Sequence, residues 1–140
     1  MGQSTVRIVA DTNVLIRNLI ADHPQQAKAA SAALSRATVI VITIPTFCEV
    51  AWTLKSRYKA TSSELKNALA SLLSDPKVVC DQDAVDAGLA MIDRGGDFAD
   101  GVIAFEGKRL GGLIFATFDR KAASLLGAEG YAVDLLIASP

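Results

Sequence analysis

Acidic side chains stand where apolar runs give way to helix-like segments, or just inside such segments. The run 6–10 leads into Asp11, Thr12 and Asn13, and the run 113–116 leads into Thr117, Phe118 and Asp119. Between them stand Glu49, just inside a stretch opened by Pro45, and the pair Asp97 and Asp100 in Gly95-Gly96-Asp97-Phe98-Ala99-Asp100. In α/β chains the C-termini of strands gather along one edge of the sheet, where ligands bind. Carboxylates far apart in sequence can meet there as one acidic pocket. Such an oxygen-rich pocket is what Mg²⁺ or Mn²⁺ requires.

Each acid also has a plainer explanation. Asp11, Asp97 and Asp119 stand where helices can begin, and Asp is among the best N-cap residues. Asp97-x-x-Asp100 imitates a capping box, and Glu49 lies opposite an apolar stripe, on what reads as a solvated face. The joint occurrence and the neighbours argue for more than capping. Asp97, Asp100 and Ala104 share a helix face, where Gly101 and Ala104 leave room for an ion or a phosphate. Asn13 and Thr117 add neutral hydrogen-bonding groups at two strand ends. His23, before Pro24, reads as an ordinary surface residue. No Ser elbow, Cys–His pair or Gly-rich phosphate loop is present, which disfavours nucleophilic and nucleotide-binding chemistry. Hydrolysis run by metal ions remains, and phosphodiesters suit it because they bring oxygen ligands of their own.

The elements that would position these groups follow from pattern. Residues 6–10 read as a buried strand and 13–20 as a short helix. Pro24 suits the first turn of an alanine-rich helix reaching about residue 36. Residues 38–43 are β-branched almost throughout, which predicts a strand. Pro45 then opens a helix with Phe47, Val50, Ala51, Leu54 and Tyr58 on one stripe. Thr61-Ser62-Ser63-Glu64 is a capping-box signature for a helix with Leu65, Leu69, Leu72 and Leu73 inward. Pro76 ends it, and 78–80 reads as a short strand. Asp81 or Asp83 can cap a helix carrying Val85, Leu89 and Ile92, ended by Gly95-Gly96. A helix over 97–110, a strand over 113–116, a helix over 120–126 and a strand near 131–133 complete the chain. The alternation predicts a single α/β sandwich with a mostly parallel sheet, one domain over residues 1–140.

Composition sets the bounds. At 140 residues the chain can bury a core without staples, and 51% hydrophobic with 21% charged residues excludes disorder. A net charge of −1 gives no overall field for nucleic acid, so attraction must come from local groups. Three basic groups qualify: Lys55, Arg57 and Lys59; Lys108 and Arg109; Arg120 and Lys121. The last pair follows Asp119 directly and is placed to hold RNA phosphates. Cys48 and Cys80 lack metal-ligand spacing and are expected to be buried and reduced. The first residues show no secretion signal and miss the myristoylation pattern at Val6. The longest apolar run, 39–44, is too short to span a bilayer, so a cytoplasmic location without membrane contact is expected.

Taken in order, Asp11-Thr12-Asn13-Val14-Leu15, Glu49-Val50-Ala51-Trp52-Thr53-Leu54, Asp97-Phe98-Ala99-Asp100 and Thr117-Phe118-Asp119-Arg120-Lys121 resemble the motifs of PIN-domain ribonucleases. Within that group they resemble the VapC toxins of bacterial toxin–antitoxin pairs. The resemblance covers about residues 6–133. It implies a PIN fold, with a central, mostly parallel sheet of about five strands flanked by helices (an α/β/α sandwich). It further implies an endoribonuclease dependent on Mg²⁺ or Mn²⁺, usually a homodimer, inhibited by a VapB-type antitoxin. DNA would be met only through that antitoxin, and the known targets are chiefly tRNAs and a ribosomal RNA loop. By motif position Asp11, Glu49, Asp100 and Asp119 match the family's acidic quartet and Asp97 a supporting acid. Asn13 and Thr117 match its polar helpers, beside Thr12 in the first motif. Ala60 stands where glycine often follows the tyrosine and touches no catalytic position, and Gly101 replaces the alanine usual after Asp100, again with a small residue. Apolar side chains including Leu19, Ile20, Leu34 and Trp52 are expected to leave a groove for an amphipathic antitoxin segment.

Two other readings compete. A phosphatase with an aspartyl nucleophile would want a second carboxylate where Asn13 stands, and no supporting lysine is evident. A catalytically inert PIN-like module that binds an antitoxin would not need the acids, all of which are present.

Overall fold

β-Branched side chains build the first sheet. The computed structural model describes residues 5–138, and the chain divides into two units, Met1–Asp81 and Gln82–Pro140. In the first, β1 (Arg7–Val9), β2 (Val39–Val41) and β3 (Val78–Val79) pair in parallel with β2 in the centre. Ile8 lies opposite Ile40, and Ile40 opposite Val78. The helices are α1 (Thr12–Leu19), α2 (Pro24–Arg36), α3 (Ile44–Ser56) and α4 (Ser62–Leu73). Leu15, Ile16, Ile40, Ile42, Phe47, Val50, Leu54 and Leu69 form the core of this unit, all at most 3% exposed. Burying each such side chain stabilises by about 1.5–3 kcal/mol. The capping box that opens α4 is complete: Thr61 Oγ1 accepts from the Glu64 N–H, and Glu64 Oε1 accepts from the Thr61 N–H.

The second unit contains α5 (Gln82–Asp93), α6 (Phe98–Arg109), β4 (Phe115–Thr117), α7 (Arg120–Ala128) and β5 (Val133–Leu135). β4 and β5 pair in parallel, with Phe115 opposite Val133. Gly95, at φ +82°, supplies the left-handed residue after α5, and the Gly96 N–H returns to the Met91 carbonyl. Met91, Ala104 and Leu126 form a core cluster, with Tyr131 and Val133 packed against it. The Lys108 ammonium lies 5.6 Å from the Tyr131 ring centroid. Burial, and secondarily the charge of Glu129, push the Tyr131 hydroxyl above its ordinary pKa.

The fold is α/β, with five described strands and every pairing parallel. Three of them are hydrogen-bonded together in the first unit and two in the second. Several expectations need correction. β1 is not a buried strand: it is the edge of its sheet, and Val9 is 71% exposed. An unbroken apolar run carries no alternation to say which faces are covered. β4 starts two residues later than expected, after Leu113 and Ile114, both of which are exposed. Its register is set from β5 and beyond, through Phe115 N–H to the Ala132 carbonyl and Leu136 N–H to the Thr117 carbonyl. Cys48 and Cys80 are half-buried rather than buried. Residues 1–4, on which the reading against lipidation largely rests, lie outside the described residues.

Candidate active site

In the first unit α1 starts where β1 ends. Asp11 has extended backbone (φ −77°, ψ 155°), and its side chain accepts from the Thr12 N–H at 2.7 Å. Thr12 is the one polar side chain buried among the described residues, at 8% exposure. Its hydroxyl donates to Glu49 Oε2 at 2.7 Å, across 37 positions of sequence. The contact exists because Leu15 and Ile16 of α1 and Phe47 and Val50 of α3 are buried in one core, which brings the first turn of α1 alongside α3. A buried hydroxyl without a partner costs about 1–3 kcal/mol, so Thr12 and Glu49 hold each other in place. Asp11 and Glu49 are therefore placed as an acid pair bracketing Thr12, with Asn13 exposed beside them.

In the second unit Asp97 occupies the N-cap of α6 but makes no side-chain capping bond. Asp100, half-buried, lies in the first turn of the same helix. Gly101 and Ala104 do not leave room for an ion. A Cβ on Gly101 would lie 2.3 Å from the Ala87 carbonyl oxygen and 2.6 Å from Met91 Cγ, so the small residue serves close packing of α5 on α6. Ala104 is buried in the core cluster. Gly88, which the sequence reading passed over, has the matching role on α5, where its missing Cβ makes way for the Phe98 ring. A glycine inside each of two consecutive helices is the signal that points to a close crossing.

After β4, Thr117 Oγ1 accepts from the Asp119 N–H at 3.0 Å, and Asp119 Oδ1 accepts from the Ala122 N–H at 3.0 Å. Asp119 is thus a true N-cap of α7. The basic groups separate here. Lys108 and Arg109 lie over the rings of Tyr131 and Phe105 of their own unit. Arg120 and Lys121 are exposed and enter no ion pair among the described residues.

Carboxylate oxygens are the donors a hard cation takes. Asp11 and Asp119 each have Oδ1 fixed by a backbone N–H, while Oδ2 accepts no hydrogen bond from described residues. Glu49 has Oε2 fixed by Thr12. Anchoring one oxygen of a carboxylate orients the other for a ligand, as outer-shell hydrogen bonds do in metal sites. Among the described residues no group of three or more His, Cys, Asp or Glu is close enough to hold a metal ion. A groove of about 320 Å³ runs between α1 and α2, lined by Asn13, Val14, Arg17, Gln26, Ala29, Ala30 and Ala33. Leu19, Ile20, Leu34 and Trp52, expected to form such a groove, do not line it, and Trp52 on α3 is 68% exposed.

Parallel strands alternating with helices define an α/β chain. The family model described as PIN domain matches residues 8–125, and the chain belongs to that family. PIN domains are generally nucleases, bind nucleic acid and usually use divalent metals. No curated protein matches the chain. No described helix is long and apolar enough to cross a membrane.

Proposed function

We propose that this protein is a metal-dependent endoribonuclease that hydrolyses RNA phosphodiester bonds, and that it is the toxin of a toxin–antitoxin pair. The observation that carries the reading is the buried Thr12 hydroxyl donating to Glu49 beside Asp11, within a PIN chain. Asp11, Glu49, Asp100 and Asp119, supported by Asp97, are the carboxylates that would hold Mg²⁺ or Mn²⁺. The chemistry supplied by such an ion would be acidification of water and neutralisation of charge on the phosphate. Thr12 orients Glu49, Thr117 shapes the turn that presents Asp119, and Asn13 offers an amide for positioning water or substrate. Arg120 and Lys121 hold phosphates of the RNA.

The wider expectations belong to the same proposal: one domain over the whole chain, a homodimer in the cytoplasm, and a VapB-type antitoxin as partner. Incubating antitoxin-free protein with a mixed RNA pool, with Mg²⁺ or with chelator, tests the activity. Cleavage should need the cation, and Asp11→Asn or Asp100→Asn should abolish it while leaving the fold intact. Undiminished cleavage by either variant sinks the site assignment. Growth arrest on expression, relieved by the small protein encoded beside it, tests the toxin role. Harmless expression of an RNA-cutting protein removes that role and leaves the nuclease standing.

A further inference from the structure

Of the five phenylalanines in this chain, Phe47 and Phe98 are buried, Phe105 and Phe115 are half-buried, and Phe118 alone is exposed, at 68%. Leaving a phenyl ring in water forgoes about 1.5–3 kcal/mol of burial. Its position is not loose. Phe118 lies in the two-residue connection from β4 to α7, between Thr117 and Asp119. Leu136 N–H donates to the Thr117 carbonyl at 2.8 Å, the Asp119 N–H to Thr117 Oγ1 at 3.0 Å, and the Ala122 N–H to Asp119 Oδ1 at 3.0 Å. The backbone is pinned on both sides of the ring, so the phenyl group is presented to solvent from a fixed base.

The surroundings say what kind of ligand suits it. Arg120 and Lys121 occupy the first turn of α7, where no acid is present and where the helix dipole disfavours cations. The three residues that follow Phe118 in the chain, Asp119, Arg120 and Lys121, are all charged and exposed, company that suits an apolar protein segment poorly. Single-stranded nucleic acid is matched by the same set. A base stacks on an aromatic face while neighbouring cations follow the phosphates. Resting on the ribonuclease reading, we propose that Phe118 is a stacking platform for an unpaired base of the RNA, flanking the phosphate at which Asp119 acts.

Once the cut site is mapped in an RNA pool, short oligonucleotides carrying an abasic nucleotide at each flanking position provide the test. They are cleaved by wild type, Phe118→Ala and Phe118→Trp, with melting curves confirming that each variant is folded. Phe118→Ala should lower kcat/KM by about 5- to 150-fold, and Phe118→Trp should retain it. One abasic position should impair wild type by a similar factor yet leave Phe118→Ala unaffected, because the partner of the ring is then already gone. Equal cleavage by wild type and Phe118→Ala, or abasic sensitivity that persists in Phe118→Ala, overturns the proposal. If wild type cuts no RNA, the nuclease reading fails by itself. Binding of the unmodified oligonucleotides then decides the matter: affinity lost in Phe118→Ala upholds the platform, and equal affinity overturns it. Loss of association with a protein partner or a second copy, at unchanged RNA affinity, also overturns it.

Discussion

The Asp119 carboxylate has two duties that substitution can separate. It caps α7 through the Ala122 N–H, and it is one of the acids proposed to hold the cation. Asn caps a helix about as well as Asp, whereas Ala costs about 1 kcal/mol. Asp119→Asn should therefore melt like wild type and cut no RNA, and Asp119→Ala should lose both stability and cleavage. An Asn variant that cuts at the wild-type rate would reduce Asp119 to a cap. The capping roles of Asp11 and Asp119 were readable in sequence because they depend on neighbours one to three positions away. The bond from Thr12 to Glu49 was not, since it joins two helices through a shared core and has no local pattern. Gly101 was read wrongly for a related reason. A small residue beside an acid looks like space until the Ala87 carbonyl is seen against it.

At the scale of elements, the α5–α6 crossing depends on two absent methyl groups. Gly101→Ala would push a Cβ to 2.3 Å from the Ala87 oxygen, a backbone atom that cannot turn aside. Overpacking of this kind costs about 1–3 kcal/mol, and denaturant unfolding of Gly101→Ala should show a loss in that range. A variant as stable as wild type would mean that the two helices are not held so closely. The capping box of α4 makes a prediction about pH. Bonds to the Thr61 backbone first, and to its side chain second, hold the Glu64 carboxyl below its ordinary pKa. A carboxylate lowered in the folded state stabilises above its unfolded pKa, and that contribution is lost as pH falls through the folded one. The stability difference between wild type and Glu64→Gln should accordingly shrink on acidification, and a pH-independent difference would refute the linkage. That box was legible from four consecutive residues. The start of β4 was not, because Leu113 and Ile114 suit a strand as well as Phe115 does and only pairing with β5 chooses between them.

For the whole molecule, the sequence of strands and helices was recoverable because parallel β pairing and amphipathic helices impose different periods on the same chain. Which strand faces stay exposed was not: Val9 is paired with Val41 and still 71% exposed, because an unbroken apolar run does not say which face is covered. The proposed cation binds the folded state and not the unfolded one, so it should raise the melting temperature. The gain is about 2.7 kcal/mol at a hundredfold excess over the dissociation constant. Mn²⁺ should shift wild type upward relative to chelator, and Asp11→Asn much less. Equal shifts in both would place the ion elsewhere on the protein. The exposure of Trp52 has an optical consequence. As the only tryptophan, and already facing water, it should emit at long wavelength and be readily quenched by iodide in the native protein. Its fluorescence is therefore a poor gauge of unfolding and a good gauge of occupancy. An associating protein that covers α3 should shift the emission to the blue and shield it from iodide, whereas an unchanged spectrum would direct the search for that contact to another face.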